Sequence, residues 1–387
     1  METSINRFRN LTIRGFRRLS EVDLELRPLT VLIGANGVGK TSVLDALSIL
    51  ASSAQGNLNA AVSEMSGLAA MMTYDRASEV GFGTSMTVSG HEPLDYSLSL
   101  RAQGVAYFID RETLRQKREK HSRPFLYIDS HGPDIKYFEV EKGKLVRPNW
   151  EYNPLESSLS QVPKLFREPE EFRQRLASST FYHVLNVESR SPVRLPQSMG
   201  PAPLPGKNGE DLVACLYYLR ETEPDRFEAI EDSLKAAFPG FKRLDFPPVA
   251  AGMLAMTWRD NNFTKPLYTH QLSEGILRFL WLVSLLQSPG LTALTLLDEP
   301  EVSLHPELLS LLAGLLREAA HKRTQIVVAT HSDRLIRFLK PDEVVVMDSA
   351  EDGTSTLTWA DKMNLEEWLQ DYSLDELWSN GRLGARK

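Results

Sequence analysis

Leu29-Thr-Val-Leu-Ile33-Gly34-Ala-Asn-Gly-Val-Gly39-Lys40-Thr41-Ser42-Val43 is the stretch on which the reading of this chain turns. Leu29 to Ile33 is apolar and β-branched, as a buried strand should be. The glycines at 34, 37 and 39 break that pattern, and Val43, Leu44, Leu47 and Leu50 then recur at helical spacing. The order is strand, glycine-rich loop, helix. Gly34 to Thr41 spells GxxxxGK[ST] in full. The glycines let the backbone curl so that its N–H groups point at phosphates. The helix that starts near Lys40 adds its positive N-terminal end. Lys40 is expected to reach the β- and γ-phosphates, and the Thr41 hydroxyl to ligate Mg²⁺. Gly34, Asn36, Gly37, Gly39 and Ser42 complete the expected cradle. The blander reading is a glycine-rich turn between two elements. The motif stands here in the strand–loop–helix context that phosphate binding requires. The cofactors implied are ATP and Mg²⁺.

Leu294-Thr-Leu-Leu-Asp298-Glu299-Pro300 is an apolar strand that ends in two acids. Burying the strand leaves the acids at its carboxyl edge, where ligands sit in open α/β sheets. Asp298 is expected to hold the metal through water, and Glu299 to polarise an attacking water as general base. Acids before a proline also suit a helix N-cap, a reading that a phosphate loop in the same chain makes less necessary.

Outward from these two stretches, residues 5–14 and 22–33 read as strands, and 94–101 with 105–109 as a hairpin around Gln103-Gly104. Residues 52–90 show no clear pattern. Five prolines between 192 and 206 mark a connector. Helices are expected at 209–221, 224–237, 274–286 and 306–320, and strands at 291–297, 324–329 and 344–347. This predicts an α/β fold: a mixed sheet built on the phosphate loop, with a core at 1–50 and 265–350. A long α+β insertion (β-hairpins, Pro-rich connector, helices) fills 51–264, and a tail fills 351–387.

The 387 residues suit one elaborated domain or two. Their net charge of −7 argues against a whole-surface grip on nucleic acid and leaves a local basic patch open. Arg111, Arg115, Lys117, Arg118, Lys120 and Arg123 form such a run. It suits a phosphate backbone, and more commonly a solvated helix face. Cys215 is the only cysteine, so no internal disulfide forms, which fits a cytoplasmic protein. Met1 to Arg18 has no signal-peptide core, and no apolar run approaches the ~20 residues of a membrane span. No HExxH or CxxC metal pattern is present.

The motif order resembles the ABC ATPase superfamily. Leu272-Ser273-Glu274-Gly275-Ile276 resembles its signature, Leu296 to Pro300 its Walker B strand, Ser303 to Pro306 the loop that follows, and Thr330-His331-Ser332 its switch histidine. Glu274 and Ile276 depart from the transporter form. With Glu301 and His305-Pro306, they resemble the RecF/SMC branch and the bacterial ATPases grouped with the overcoming-lysogenisation-defect family. The segment from Trp368 to Trp378 with Gly381 and Gly384 resembles the tail of those ATPases. No match to the family's glutamine loop stands out; Gln103 is a weak candidate. The resemblance implies that Ser273, with Gly275 behind it, touches the γ-phosphate held by a second subunit, and that His331 contacts the γ-phosphate and water. It therefore implies a head-to-tail homodimer with two composite sites. A simple N-cap for Ser273 and a surface strand end for His331 are the alternatives.

Three functions compete. One is an ATP-hydrolysing sensor or regulatory ATPase of a DNA-related or phage-defence system, acting with a separate effector and with nucleic acid as a further partner. The second is a non-catalytic scaffold locked by ATP. The third, a transporter ATPase, is disfavoured by the altered signature and the long insertion. About 40 residues follow Val346, which is short for a nuclease domain. The effector is expected to dock on the insertion or on a stripe formed by Leu365, Trp368, Leu369 and Tyr372.

Overall fold

Strand Leu29–Gly34 is buried on every residue, because its two faces serve two different cores. Val31 and Ile33 pack on one side with Leu277, Phe279 and Leu312. Leu32 packs on the other with Val43, Leu44 and Leu47. That is the signature of a parallel sheet covered on both faces. In this computed structural model, residues 6–73, 76–104, 106–118, 123–364, 372–381 and 383 are described.

The sheet has six strands in the order Thr180–Tyr182, Leu294–Asp298, Gln325–Thr330, Leu29–Gly34, Val344–Ser349, Ser355–Trp359. The first five run parallel, and Ser355–Trp359 closes the edge antiparallel. All five parallel strands therefore deliver their carboxyl ends to one edge. Thr180–Tyr182 enters this sheet from within the 51–264 stretch.

A second sheet, antiparallel and eight-stranded, runs in the order Leu19–Glu25, Phe8–Phe16, Glu79–Val88, His91–Gln103, Ala106–Gln116, Phe125–His131, Tyr137–Glu139, Lys144–Val146. Strands from residues 8–25 thus pair with strands from the 51–264 stretch. Helix Lys40–Gln55 belongs to the core that both sheets share. It is apolar on nearly all sides for that reason, and each fully buried leucine along it contributes about 1.5–3 kcal/mol. Helices Leu212–Thr222, Pro224–Ala237, Glu274–Gln287 and Leu308–Lys322 cover the opposite face of the parallel sheet.

Some local expectations shift. Residues 52–90 resolve into helices Leu58–Glu64 and Leu68–Met71 and the strand Glu79–Val88. The hairpin is longer than its alternation showed, and Gln103 is its exposed tip rather than part of the ATPase sheet. The basic run is not a helix face. Arg111 and Arg115 are exposed positions of strand Ala106–Gln116, next to buried Glu112 and Leu114. Arg115 lies 3.7 Å from Asp95, and the Arg118 guanidinium lies 3.6 Å from the centre of the Phe125 ring. Strand pairing, invisible in a charge count, decides this. Lys120, Gly384 and the stripe at Leu365, Trp368 and Leu369 lie outside the described residues. No helix among the described residues is long and apolar enough to cross a membrane.

Candidate active site

The loop after Leu29–Gly34 turns through Gly37 (φ 81°) and Gly39 (φ 96°), left-handed conformations that an L side chain resists. Gly39 is also the residue before helix Lys40–Gln55. The Lys40 ammonium donates to the Gly34 carbonyl at 2.8 Å and to the Ala35 carbonyl at 3.1 Å. Asn36 is exposed at the loop's crest. Ser355 on the edge strand steadies the loop by donating to the Val38 carbonyl at 2.6 Å. Ser42 is buried and accepts from Arg17 at 3.3 Å, while Arg17 also bridges to Asp45 at 2.5 Å. Arg17 has a positive φ of 50°. Nothing in the sequence pattern singled it out, because its link to the loop helix is purely tertiary.

Thr41 lies 3.5 Å from the Asp298 carboxylate, so the loop and the acidic strand meet at one point. Burial pushes the Asp298 carboxyl up, and neighbouring Glu299 and Asp45 push it further. Burial lowers the Lys40 ammonium, against the pull of Glu299, Asp298 and Glu301. Asp298 and Glu301, two carboxyls that burial makes harder to ionise, beside one partly desolvated cation form a place that further positive charge would relieve. The Thr41 hydroxyl and Asp298 carboxylate are both hard oxygen donors, and that donor set fits Mg²⁺.

Glu299 takes a left-handed backbone (φ 48°), rare for a glutamate, while its N–H donates to the Ala329 carbonyl at 2.8 Å. Strain of this kind concentrates at working sites. The Glu299 carboxylate is 2.8 Å from His331 Nδ1, so the two expected catalytic residues touch. Glu301 is buried, accepts from the Thr330 hydroxyl, and has its Oε2 without a partner among the described residues. Burial raises its pKa.

Ser273 stands at the exposed N-terminus of helix Glu274–Gln287 and accepts from the Ile276 N–H at 3.3 Å. Within one chain it is therefore an N-cap, and the loop's own contacts run to Asp298 instead. Gly275 is packed against the post-acidic loop: a Cβ there would sit 2.8 Å from the Ser303 carbonyl oxygen. Arg278 ties the same elements by donating to Ser303 at 2.9 Å.

Residues 29–337 match the family model described as "AAA domain, putative AbiEii toxin, Type IV TA system". The chain belongs to that family. It is a P-loop ATPase of the ABC type, in the branch that holds RecF, SMC and overcoming-lysogenisation-defect proteins. The chain is 22% identical over 387 residues to an OLD nuclease of Thermus scotoductus, covering 90% of this chain. It spans 65% of that relative's length. Among solved structures, an SMC head bound to the C-winged helix domain of ScpA superposes with a TM-score of 0.57 at 15% identity, over 96% of this chain and 99% of that one. A Pyrococcus furiosus Smc head, bound to the C-terminal domain of ScpA, gives 0.55 at 13%, over 95% and 100%. A Pyrococcus yayanosii Smc head gives 0.53 at 12%, over 94% and 100%. At these identities the likeness is one of fold.

Proposed function

We propose that this chain binds and hydrolyses ATP between two copies of itself, and that closure of the paired heads regulates a separate effector in a DNA-related or phage-defence system. The observation that carries the reading is the meeting of Thr41 with Asp298 and of Glu299 with His331 at one sheet edge. In this reading Lys40 and the backbone of Gly34, Asn36, Gly37 and Gly39 hold the β- and γ-phosphates, and Ser42 supports the α-phosphate side. Thr41, and Asp298 through water, hold Mg²⁺, which when bound offsets the charge of the phosphate oxygens. Glu299 takes the proton of the attacking water, and His331 orients that carboxylate and the γ-phosphate. The core would be residues 1–50 and 265–350, with 51–264 as the elaboration and 351–387 as the tail.

The shared site rests on Ser273. It is exposed, sits at a helix N-terminus, and among the described residues is bonded only to its own helix. A positive helix end facing outward suits a phosphate held by a second copy. Ser273→Arg and Lys40→Ala are each expected to be inactive. Mixed, they form heterodimers with one intact composite site, and ATPase activity returns in part. Heterodimers shown to form that stay inactive at every mixing ratio would count against independent shared sites.

The effector is proposed to act as a separate entity because the acids gathered at the sheet edge, Asp298, Glu299 and Glu301, are already committed to the ATP site. The chain alone is expected to leave plasmid, single-stranded DNA and tRNA intact with Mg²⁺ or Mn²⁺, with or without ATP. Cleavage appearing only when a genomic neighbour is added supports the reading. Cleavage that co-elutes with the chain and is lost on mutating its own acids overturns it.

A further inference from the structure

Arg194 lies in the proline-rich connector, a stretch that no motif ties to the ATP site. Its backbone is placed locally. Pro192–Arg194 is a short 3₁₀ turn, entered through Ser191, whose hydroxyl donates to the Glu188 carbonyl at 2.7 Å. The Arg194 N–H donates to the Ser191 carbonyl at 3.0 Å. Val193 pins the turn from below, buried in the core that also holds Val187 and Leu272.

The guanidinium then joins two segments far apart in sequence. Its Nε donates to the Val187 carbonyl at 2.6 Å. Its Nη1 donates to the Leu272 carbonyl at 2.9 Å and lies 3.4 Å from the carbonyls of Thr269 and His270. The Thr269 hydroxyl answers by donating to the Arg194 carbonyl at 2.8 Å. Leu272 directly precedes Ser273, so its carbonyl belongs to the peptide plane that carries the Ser273 N–H. Holding that plane sets the entry of helix Glu274–Gln287, whose N-cap is Ser273. Among the described residues the partners of this guanidinium are all backbone carbonyls, and none belongs to the phosphate loop. An arginine spent in this way fixes backbone shape. A planar fork reaches Val187 from one nitrogen and Leu272 from another, which a single lysine ammonium does not reproduce.

We propose that Arg194 is a positioning residue for the shared ATP site: by holding the peptide before Ser273, it aims that serine and its helix end at the γ-phosphate held by a second copy. The inference rests on the shared-site reading above. It assigns the effect of Arg194 to the site completed by its own signature turn, and not to the phosphate loop of its own chain. A misplacement of about 1 Å at a reacting centre costs on the order of 100-fold in rate.

The test uses the full chain and mixed dimers. Arg194→Ala should bind a fluorescent ATP analogue as the native chain does, with a native circular dichroism spectrum, while turnover falls roughly 100-fold. Mixed with Lys40→Ala, it should recover activity, because one site then has an intact loop and an intact signature turn. Mixed with Ser273→Arg, it should stay inactive, because both signature turns are damaged. Arg194→Lys, which keeps the charge and loses the fork, should show the same pattern and serves if the alanine variant does not fold. The mixture of Lys40→Ala with Ser273→Arg tests the shared site alone. If that mixture recovers activity and the mixture of Arg194→Ala with Lys40→Ala does not, the proposal is overturned and the shared site stands. Native turnover in both Arg194 variants, or recovery with Ser273→Arg, also overturns it. Failure of the Lys40→Ala and Ser273→Arg mixture, with heterodimers shown to form, removes both readings together.

Discussion

Lys40→Ala is expected to abolish measurable ATP binding. The ammonium is anchored by the Gly34 and Ala35 carbonyls, so it is held over the loop rather than waving in solvent. It also feels the charges of Glu299, Asp298 and Glu301, and its partial burial strengthens every charge interaction it makes. Removing it takes away a counter-charge that those acids and the phosphates share. Two lost charge-assisted hydrogen bonds, each worth about 1.5–3 kcal/mol, weaken affinity by at least on the order of 100-fold. The measurement is a titration with a fluorescent ATP analogue, with circular dichroism to show that the variant is folded. Affinity equal to that of the native chain would remove the phosphate-loop assignment.

Glu299→Gln is expected to separate binding from hydrolysis. The amide keeps the side chain's size and its reach to His331, and it leaves Lys40, Thr41 and Asp298 untouched. It cannot take a proton. ATP should bind as well as before or better, since one repelling carboxylate is gone from beside Asp298. Turnover should fall at least ~100-fold, and an ATP-locked dimer should accumulate on a sizing column. Native turnover in this variant would move the general base to another acid, with buried Glu301 the nearest alternative. Locked dimers without turnover, together with a native chain that never turns over, would favour the ATP-locked scaffold.

Much of the site was legible because its chemistry is local. A loop that cradles phosphate needs glycines, a lysine and a hydroxyl at fixed spacing, and Gly34 to Thr41 has them in contiguous order. The acidic strand end reads equally well, because a buried strand is uniformly apolar and a switch to Asp298-Glu299 marks where it leaves the core. Gln103 fared differently. Its sequence neighbours carry no mark of a nucleotide site, and the structure leaves it at the tip of a hairpin in the other sheet. Residues 52–90 resisted reading because strand Glu79–Val88 includes glycines at 81 and 83, which dilute the alternation that marks a strand.

What the sequence determined by itself is whatever depends on neighbours along the chain: the strand–loop–helix unit, the acids at 298 and 299, the signature serine as a helix start, and the buried character of Gln325–Thr330 before His331. What only the tertiary structure decided is everything that depends on strand order and register. Leu29–Gly34 lies between Gln325–Thr330 and Val344–Ser349, which brings Thr41 to Asp298. Thr180–Tyr182 joins the outer side of the acidic strand, from a stretch distant in sequence. Arg17 reaches Ser42 and Asp45, and Gly275 presses on Ser303. The physical reason is that period and composition encode which face of an element is buried, while its partner is chosen by packing between segments distant in sequence, and a short segment such as Thr180–Tyr182 carries no local mark of the strand it will join.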